Sequence, residues 1–473
     1  MSANLNTNLQ PNRKRWKALI LLCFANFLVM MDSAIVQVAL PAIKSDVGYT
    51  EANLQWVMNA FLILFGGLLL LGGRLADLFG HRRIFMWGVS ILTVSSLFAG
   101  LAWNEMSLNV SRAVQGAGSA LIAPAALSII MILFSGDKKE MGKALAFWGL
   151  SGAAGGSLGI VLGGVLTQLL SWRWTLLFYV PVGILVLVLA PKLLEKGTKK
   201  SGKIDYAGAL SVTASLVLIV YGIVTAEQNG WQSLSTLLPL IIGAILFVIF
   251  ILMQAFRKEP LMPLGIFKTP NLAAGNVSLI LLSVAWFPLI YFLILYLQQV
   301  MKFEPFMAAM GMLPGPILIA IFMIVLAEKV MAKLGMKITM AFGFVILGIA
   351  GLLFSGNTTY GSYWIDVFIP LLLAALGNAL AYLPATTAAV SEAKEQESGL
   401  ASGLYNTTYQ VGSAVGLAIL VSIAAATSAA STETSLAALN EGYQQAFFWG
   451  GIAAFVGAIL ALLFIRSKVG ASK

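Results

Sequence analysis

Charge is what this sequence has least of. Only 10% of its 473 residues are charged, against about a quarter in ordinary soluble domains, and 59% are hydrophobic. A soluble globular domain is excluded, and the chain reads as an all-α polytopic membrane protein. Its apolar runs are continuous rather than alternating, which excludes a transmembrane barrel. Cysteine is down to Cys23 in the first apolar run, so no disulfide framework is possible within the chain, and this thiol is expected to pack as a small apolar side chain. Histidine is down to His81, which excludes histidine metal clusters and serine–histidine machinery elsewhere; no metal site is expected. A Gly-x-x-x-x-Gly-Lys-Ser/Thr loop is missing too, which speaks against an ATP-driven pump. The longest loop candidates, Pro191 to Tyr206 and Ser428 to Tyr443, are smaller than a domain, so no enzyme is expected. No cleavable signal peptide is visible: residues 1 to 15 are polar, and the first apolar run is too long and lacks a small-residue cleavage site.

What is present is a series of fourteen apolar spans. They are expected to begin near Trp16, Asn53, Ile84, Ser107, Lys143, Thr175 and Ala207, then near Thr236, Asn271, Phe306, Ile338, Tyr363, Leu400 and Gln445. Threading them through a bilayer places 25 of the 29 Lys and Arg residues on one side. Lys44, Arg173 and Lys302 fall opposite, and Arg112 is buried. This is the positive-inside pattern, with both termini in the cytoplasm. The net charge of +10 therefore reports topology and contact with anionic lipid, not nucleic-acid binding.

One carboxylate, Asp32, lies deep in the first span, within Met30 to Pro41. A charge at such depth marks an ion or substrate path, or else a structural tie to a neighbouring helix. From Lys17 at the basic surface, Asp32 lies about 22 Å up a helix, while Arg112 in the fourth span lies roughly 9 Å below the opposite surface. In a core of roughly 30 Å the two sit at similar height. Arg112 also has a plain alternative, a tie to backbone carbonyls. The loop after the second span reads Gly73-Arg74-Leu75-Ala76-Asp77-Leu78-Phe79-Gly80-His81-Arg82-Arg83. Gly73 is expected to allow a close helix approach, Asp77 to accept from an adjacent helix end, Gly80 to make the turn, and Arg82 and Arg83 to hold the basic face. Such contacts would bias a rocking equilibrium.

An internal repeat is suggested by two features. Gly80 recurs as Gly335, an offset of 255, and Gly155 recurs as Gly412, an offset of 257. In the fifth span Gly155, Gly159, Gly163 and Gly164 mark a packing face. The reading is a six-helix bundle over 1–194, a linker with two extra helices over 195–268, and a second six-helix bundle over 269–473. The second half has no deep charge. Its expected pocket lining is Trp286, Tyr291, Asn378, Tyr382, Asn406 and Gln410, joined by Gln115 from the first half; ordinary interhelical packing is the alternative for each.

In these motifs the chain resembles the major facilitator superfamily, and within it the fourteen-helix drug:proton antiporters. The loop from Gly73 is similar to the superfamily's signature between helices 2 and 3, departing at Leu78 and His81. Asp32 to Pro41 is similar to the branch's helix 1 signature, and Arg112-Ala113-Val114-Gln115-Gly116-Ala117-Gly118 to its helix 4 signature. Asn406, Gln410, Gly412 and Gly416 fit its helix 13, with Tyr409 where Arg is usual. The helix 5 antiporter signature is only partly kept, since Ile160 stands where Pro is usual. The resemblance implies a multi-pass transporter of a bacterial-type cell membrane, monomeric and without a cofactor, driven by the proton motive force and exporting small lipophilic or cationic drugs. Asp32 would then alternately hold a proton and a cationic or polar substrate, with Arg112 setting its proton affinity. Two other classes stay open: a single-metabolite carrier or proton symporter, and a non-transporting membrane sensor or scaffold.

Overall fold

The computed structural model describes residues 12–136, 138–195, 205–257, 260–390 and 398–466. Among these, fourteen helices are long and apolar enough to cross a membrane, and there is no strand. They are α1 Lys14–Val47, α2 Glu51–Phe79, α3 His81–Gly100, α4 Glu105–Leu133, α5 Lys139–Leu169, α6 Trp174–Leu193 and α7 Tyr206–Ala226. The series continues with α8 Leu234–Phe256, α9 Leu272–Val300, α10 Pro305–Val325, α11 Lys329–Phe354, α12 Tyr363–Val390, α13 Leu400–Ala430 and α14 Ser435–Phe464. Of the basic residues assigned to one side, Lys196, Lys199, Lys200, Lys203, Lys258, Lys394, Lys468 and Lys473 lie outside the described residues.

Helix ends follow local chemistry. Asn104 caps α4 in a reciprocal box with Ser107, satisfying two otherwise orphaned N–H groups. Thr50 caps the start of α2. Gly80, at φ 96°, makes the turn between α2 and α3 as expected, since a side chain there would be strained. Proline sets internal breaks: α6 is interrupted at Phe178, before Pro181, and α10 at Leu313, before Pro314.

Two boundaries differ from the sequence reading. The second supposed loop is mostly helix: α13 continues to Ala430 and α14 begins at Ser435, ten residues before Gln445. Its polar residues are used internally, because Asn440 and Gln444 both donate to the Asn357 carbonyl. Helix α11 also begins early, at Lys329 rather than Ile338, and is broken at Gly335 (φ 77°).

The packing repeats along the chain. Gly80 and Gly335, 255 positions apart, both carry positive φ. Gly88 abuts the Gly118 carbonyl where α3 crosses α4, and Gly343 abuts the Gly377 carbonyl where α11 crosses α12. Helices α1 to α6 pack mainly among themselves, as do α9 to α14, while α7 and α8 pair with each other. The two groups meet along two seams, α2 with α13 and α5 with α10. Helix α7 lies on the first seam, with Thr213 against Gly67 of α2 and Ser422 of α13 donating to the Ile223 carbonyl.

Candidate functional site

Asp32 of α1 and Arg112 of α4 form an ion pair, and both side chains are fully buried. The guanidinium is held on several sides. Its Nε donates to the Val57 carbonyl at 2.9 Å, Nη1 donates to Asp32 Oδ2 and also to Gln115 Oε1 at 2.9 Å, and the group lies 4.7 Å from the centre of the Phe61 ring. Gln115 Nε2 donates in turn to Ser96 at 2.7 Å, which donates to the Leu92 carbonyl. Arg112 thus makes both an ion pair with Asp32 and a tie to a backbone carbonyl. Asp32 Oδ1 and Arg112 Nη2 are buried without a hydrogen-bond partner. A buried pair with spare polar atoms is a poor stabiliser and a natural place for charge to change.

The α5 glycines seat that helix on α1 around Asp32. A Cβ at Gly155, Gly159 or Gly163 would lie 2.5, 2.9 or 2.5 Å from the carbonyl oxygens of Phe27, Met31 and Ile35. Side chains are thereby excluded from three successive turns flanking the carboxylate. Gly164 points elsewhere, against Pro305, Phe306 and Ala309 of α10, so it belongs to the seam between the two groups. Ile160 is buried within an α5 that runs unbroken through this stretch.

In the loop after α2, the close approach falls at Gly72 and not at Gly73. A Cβ at Gly72 would lie 2.1 Å from the Ala120 carbonyl oxygen, whereas at Gly73 the nearest neighbour is Pro124 at 3.7 Å. Asp77 lies 3.4 Å from His81 at the start of α3. Arg83 is exposed and Arg82 half-buried at this basic end.

The expected pocket residues do not share one place. Gln115 is fully buried in the Arg112 network. Tyr382 of α12 meets Tyr409 of α13 edge to face at 5.8 Å, with Asn378 one turn away and its Oδ1 unpartnered. Asn406, which bonds back to the Ser402 carbonyl, and Trp286 of α9 are both half-buried. Gln410 packs on Gly66 of α2, on the seam between the groups. Tyr291 is not with them: it lines a cavity near the α1–α2 turn. Ser96, Phe61 and the Val57 carbonyl were not legible as site groups, because a hydroxyl, a phenyl ring or a backbone carbonyl in an apolar helix carries no compositional signal.

A model of the Major Facilitator Superfamily matches residues 22–417. The cephamycin export protein of Amycolatopsis lactamdurans is 35% identical over 78% of this chain and 76% of that protein. The lincomycin resistance protein of Streptomyces lincolnensis is 33% identical over 82% and 80% of the two chains. The puromycin resistance protein of Streptomyces alboniger is 32% identical over 82% and 78%. Among solved structures, a peptide transporter in complex with sulfate superposes with a TM-score of 0.67 at 18% identity, covering 94% of each chain, which establishes the shared fold. With its helix order, its repeated crossings and the family match over most of its length, this chain belongs to the Major Facilitator Superfamily.

Proposed function

We propose that this protein is a proton-coupled secondary transporter that exports small lipophilic, cationic drug-like compounds by alternating access. It works as a monomer in the cell membrane, with both termini in the cytoplasm, and uses the proton gradient in place of any cofactor. The observation that carries this reading is the Asp32–Arg112 pair, fully enclosed yet left with an unpartnered oxygen and an unpartnered nitrogen. The export and resistance proteins to which the chain is similar support the direction and the substrate class.

Coupling is indirect. Asp32 is closed off from the half-buried aromatic group around Tyr382 and Tyr409, so a substrate resting there does not touch it in this state. A proton arriving on Asp32 cancels its attraction to Arg112, which keeps its other bonds to Val57 and Gln115. Helix α1 is then untied from α4 while still seated on the α5 glycines, and its equilibrium position shifts. The substrate meets aromatic faces and a few amides, which suits a lipophilic cation. The test is efflux of an ethidium-like dye by cells carrying Asp32→Asn, with and without a proton uncoupler. Loss of the uncoupler-sensitive efflux supports the reading; full gradient-driven efflux by the variant rejects it.

A further inference from the structure

At the end opposite the basic residues, a cavity of about 980 Å³ lies between the α1–α2 turn and the ends of α9, α13 and α14. None of its lining residues belongs to the Tyr382–Tyr409 group. One face of α9 runs along it, carrying Tyr291, Leu295 and Gln298 at the three- and four-residue spacing of a helical stripe, and Lys302 lines it just beyond the helix end. The end of α9 is wound wide, with Met301 N–H reaching back five residues to the Tyr296 carbonyl, and Lys302 follows at φ 60°. Widened turns and left-handed non-glycine residues concentrate at functional positions, because folding alone does not favour them.

The polar groups in this cavity are sorted by what they already do. Glu51 is engaged by Lys44, and Gln298 donates to the Val38 carbonyl. Tyr443 donates to Gln299 Oε1, which leaves the Gln299 amide N–H₂ to donate. The Tyr291 hydroxyl is buried and unpartnered at the deep end. Lys302 forms no ion pair among the described residues. Among the groups left over, Lys302, the Gln299 amide and the Tyr291 hydroxyl can donate, and Lys44, Glu51 and Lys302 together leave one excess positive charge. Between them lie Phe292 and the aliphatic side chains of α13 and α14.

We propose that this cavity is a second ligand site, which takes an elongated anionic amphiphile. Its sulfonate, carboxylate or phosphate sits at Lys302 and Gln299, its apolar body runs along α9 over Phe292, and an oxygen acceptor further along receives the Tyr291 hydroxyl. From Tyr291 to the helix end at Val300 is about 14 Å, with Lys302 just beyond, which sets the length of ligand that reaches both ends. The selectivity is opposite in charge to that of the export site, so it stands or falls without that reading.

The test uses the full chain in phosphatidylcholine nanodiscs and the binding of tritiated taurocholate, an elongated sulfonate with hydroxyl acceptors, without any gradient. Saturable binding is expected, unaffected by Tyr409→Ala and not displaced by methyl cholate, which lacks the charge. Lys302→Asn, a residue that tolerates left-handed backbone, should weaken it about tenfold, and Lys302→Arg should restore it. Adding phosphatidylglycerol to the nanodiscs separates the sources: competition assigns the site to membrane lipid, and unchanged binding assigns it to a soluble amphiphile. No saturable binding at millimolar taurocholate, equal binding by Lys302→Asn, or loss of binding in Tyr409→Ala overturns the proposal.

Discussion

At the scale of single residues, the enclosed charge pair makes a prediction that separates a structural role from a coupling role. Removing one partner of a buried pair leaves the other charge uncompensated, at a cost of about 3–5 kcal/mol, whereas removing both is often neutral. Arg112→Gln should therefore lower the melting temperature clearly, while the double variant with Asp32→Asn should recover most of the loss. Neither variant should regain gradient-driven efflux, because no titratable carboxylate remains paired with a cation at this depth. A double variant that melts as low as the single one would show that the pair is held mainly by the Val57 and Gln115 bonds. Asp32 and Arg112 were legible in the sequence because an ionisable group inside an apolar run is expensive. Tyr291 lines a cavity, but apart from Tyr382 and Asn378, because its position depends on the rotational register of α9, which sequence spacing alone does not orient against the neighbouring helices.

At the scale of elements, glycine pairs supply matched controls. Gly155 and Gly156 are neighbours on α5, yet a Cβ at the first would lie 2.5 Å from the Phe27 carbonyl oxygen and at the second would meet nothing within 4 Å. Gly155→Ala should destabilise by about 1–3 kcal/mol through overpacking, with slower transport. Gly156→Ala should be neutral or slightly stabilising, as expected where a helical glycine has free space. The same contrast holds at the end of α2. Gly72→Ala should damage folding, while Gly73→Ala should leave thermal stability near that of the parent protein, because only Gly72 touches backbone. Equal effects within either pair, measured by thermal melting and dye efflux, would refute the packing argument. Twelve of the fourteen helix starts lie within four residues of the sequence expectation, because long apolar runs bounded by charge leave little choice. The start of α14 was missed for a physical reason: Asn440 and Gln444 read as loop residues in isolation, but their amides serve the Asn357 carbonyl inside the bundle. Gly72 and Gly73 could not be told apart, since which neighbour faces α4 depends on helix rotation.

At the scale of the whole molecule, the two seams differ, and that difference says where movement occurs. Along α2 and α13 the contact extends from Gly66 at Gln410 to Leu70 at Gly403, and α7 covers it with contacts to both helices. Along α5 and α10, Gly164 packs tightly on α10 and the Phe306 N–H donates to Gln168 at 3.0 Å, while Gly149 and Gly156 nearer the basic end have open space beside them. The seam is shut at the lightly charged end. Alternating access requires this end to part in turn, since one site cannot open to both sides at once. A cross-link between Gln168→Cys and Phe306→Cys, made in a Cys23→Ser background so that no other thiol competes, should therefore stop dye efflux on oxidation. Reduction should restore it to the level of the unlinked variant. Binding of a lipophilic cation from the basic side should survive the cross-link, because the link holds shut only the opposite end of the seam. Efflux that continues at full rate with the cross-link complete would mean that the α5–α10 seam stays shut throughout the cycle, and the release path would have to lie along the α2–α13 seam, past the cover provided by α7.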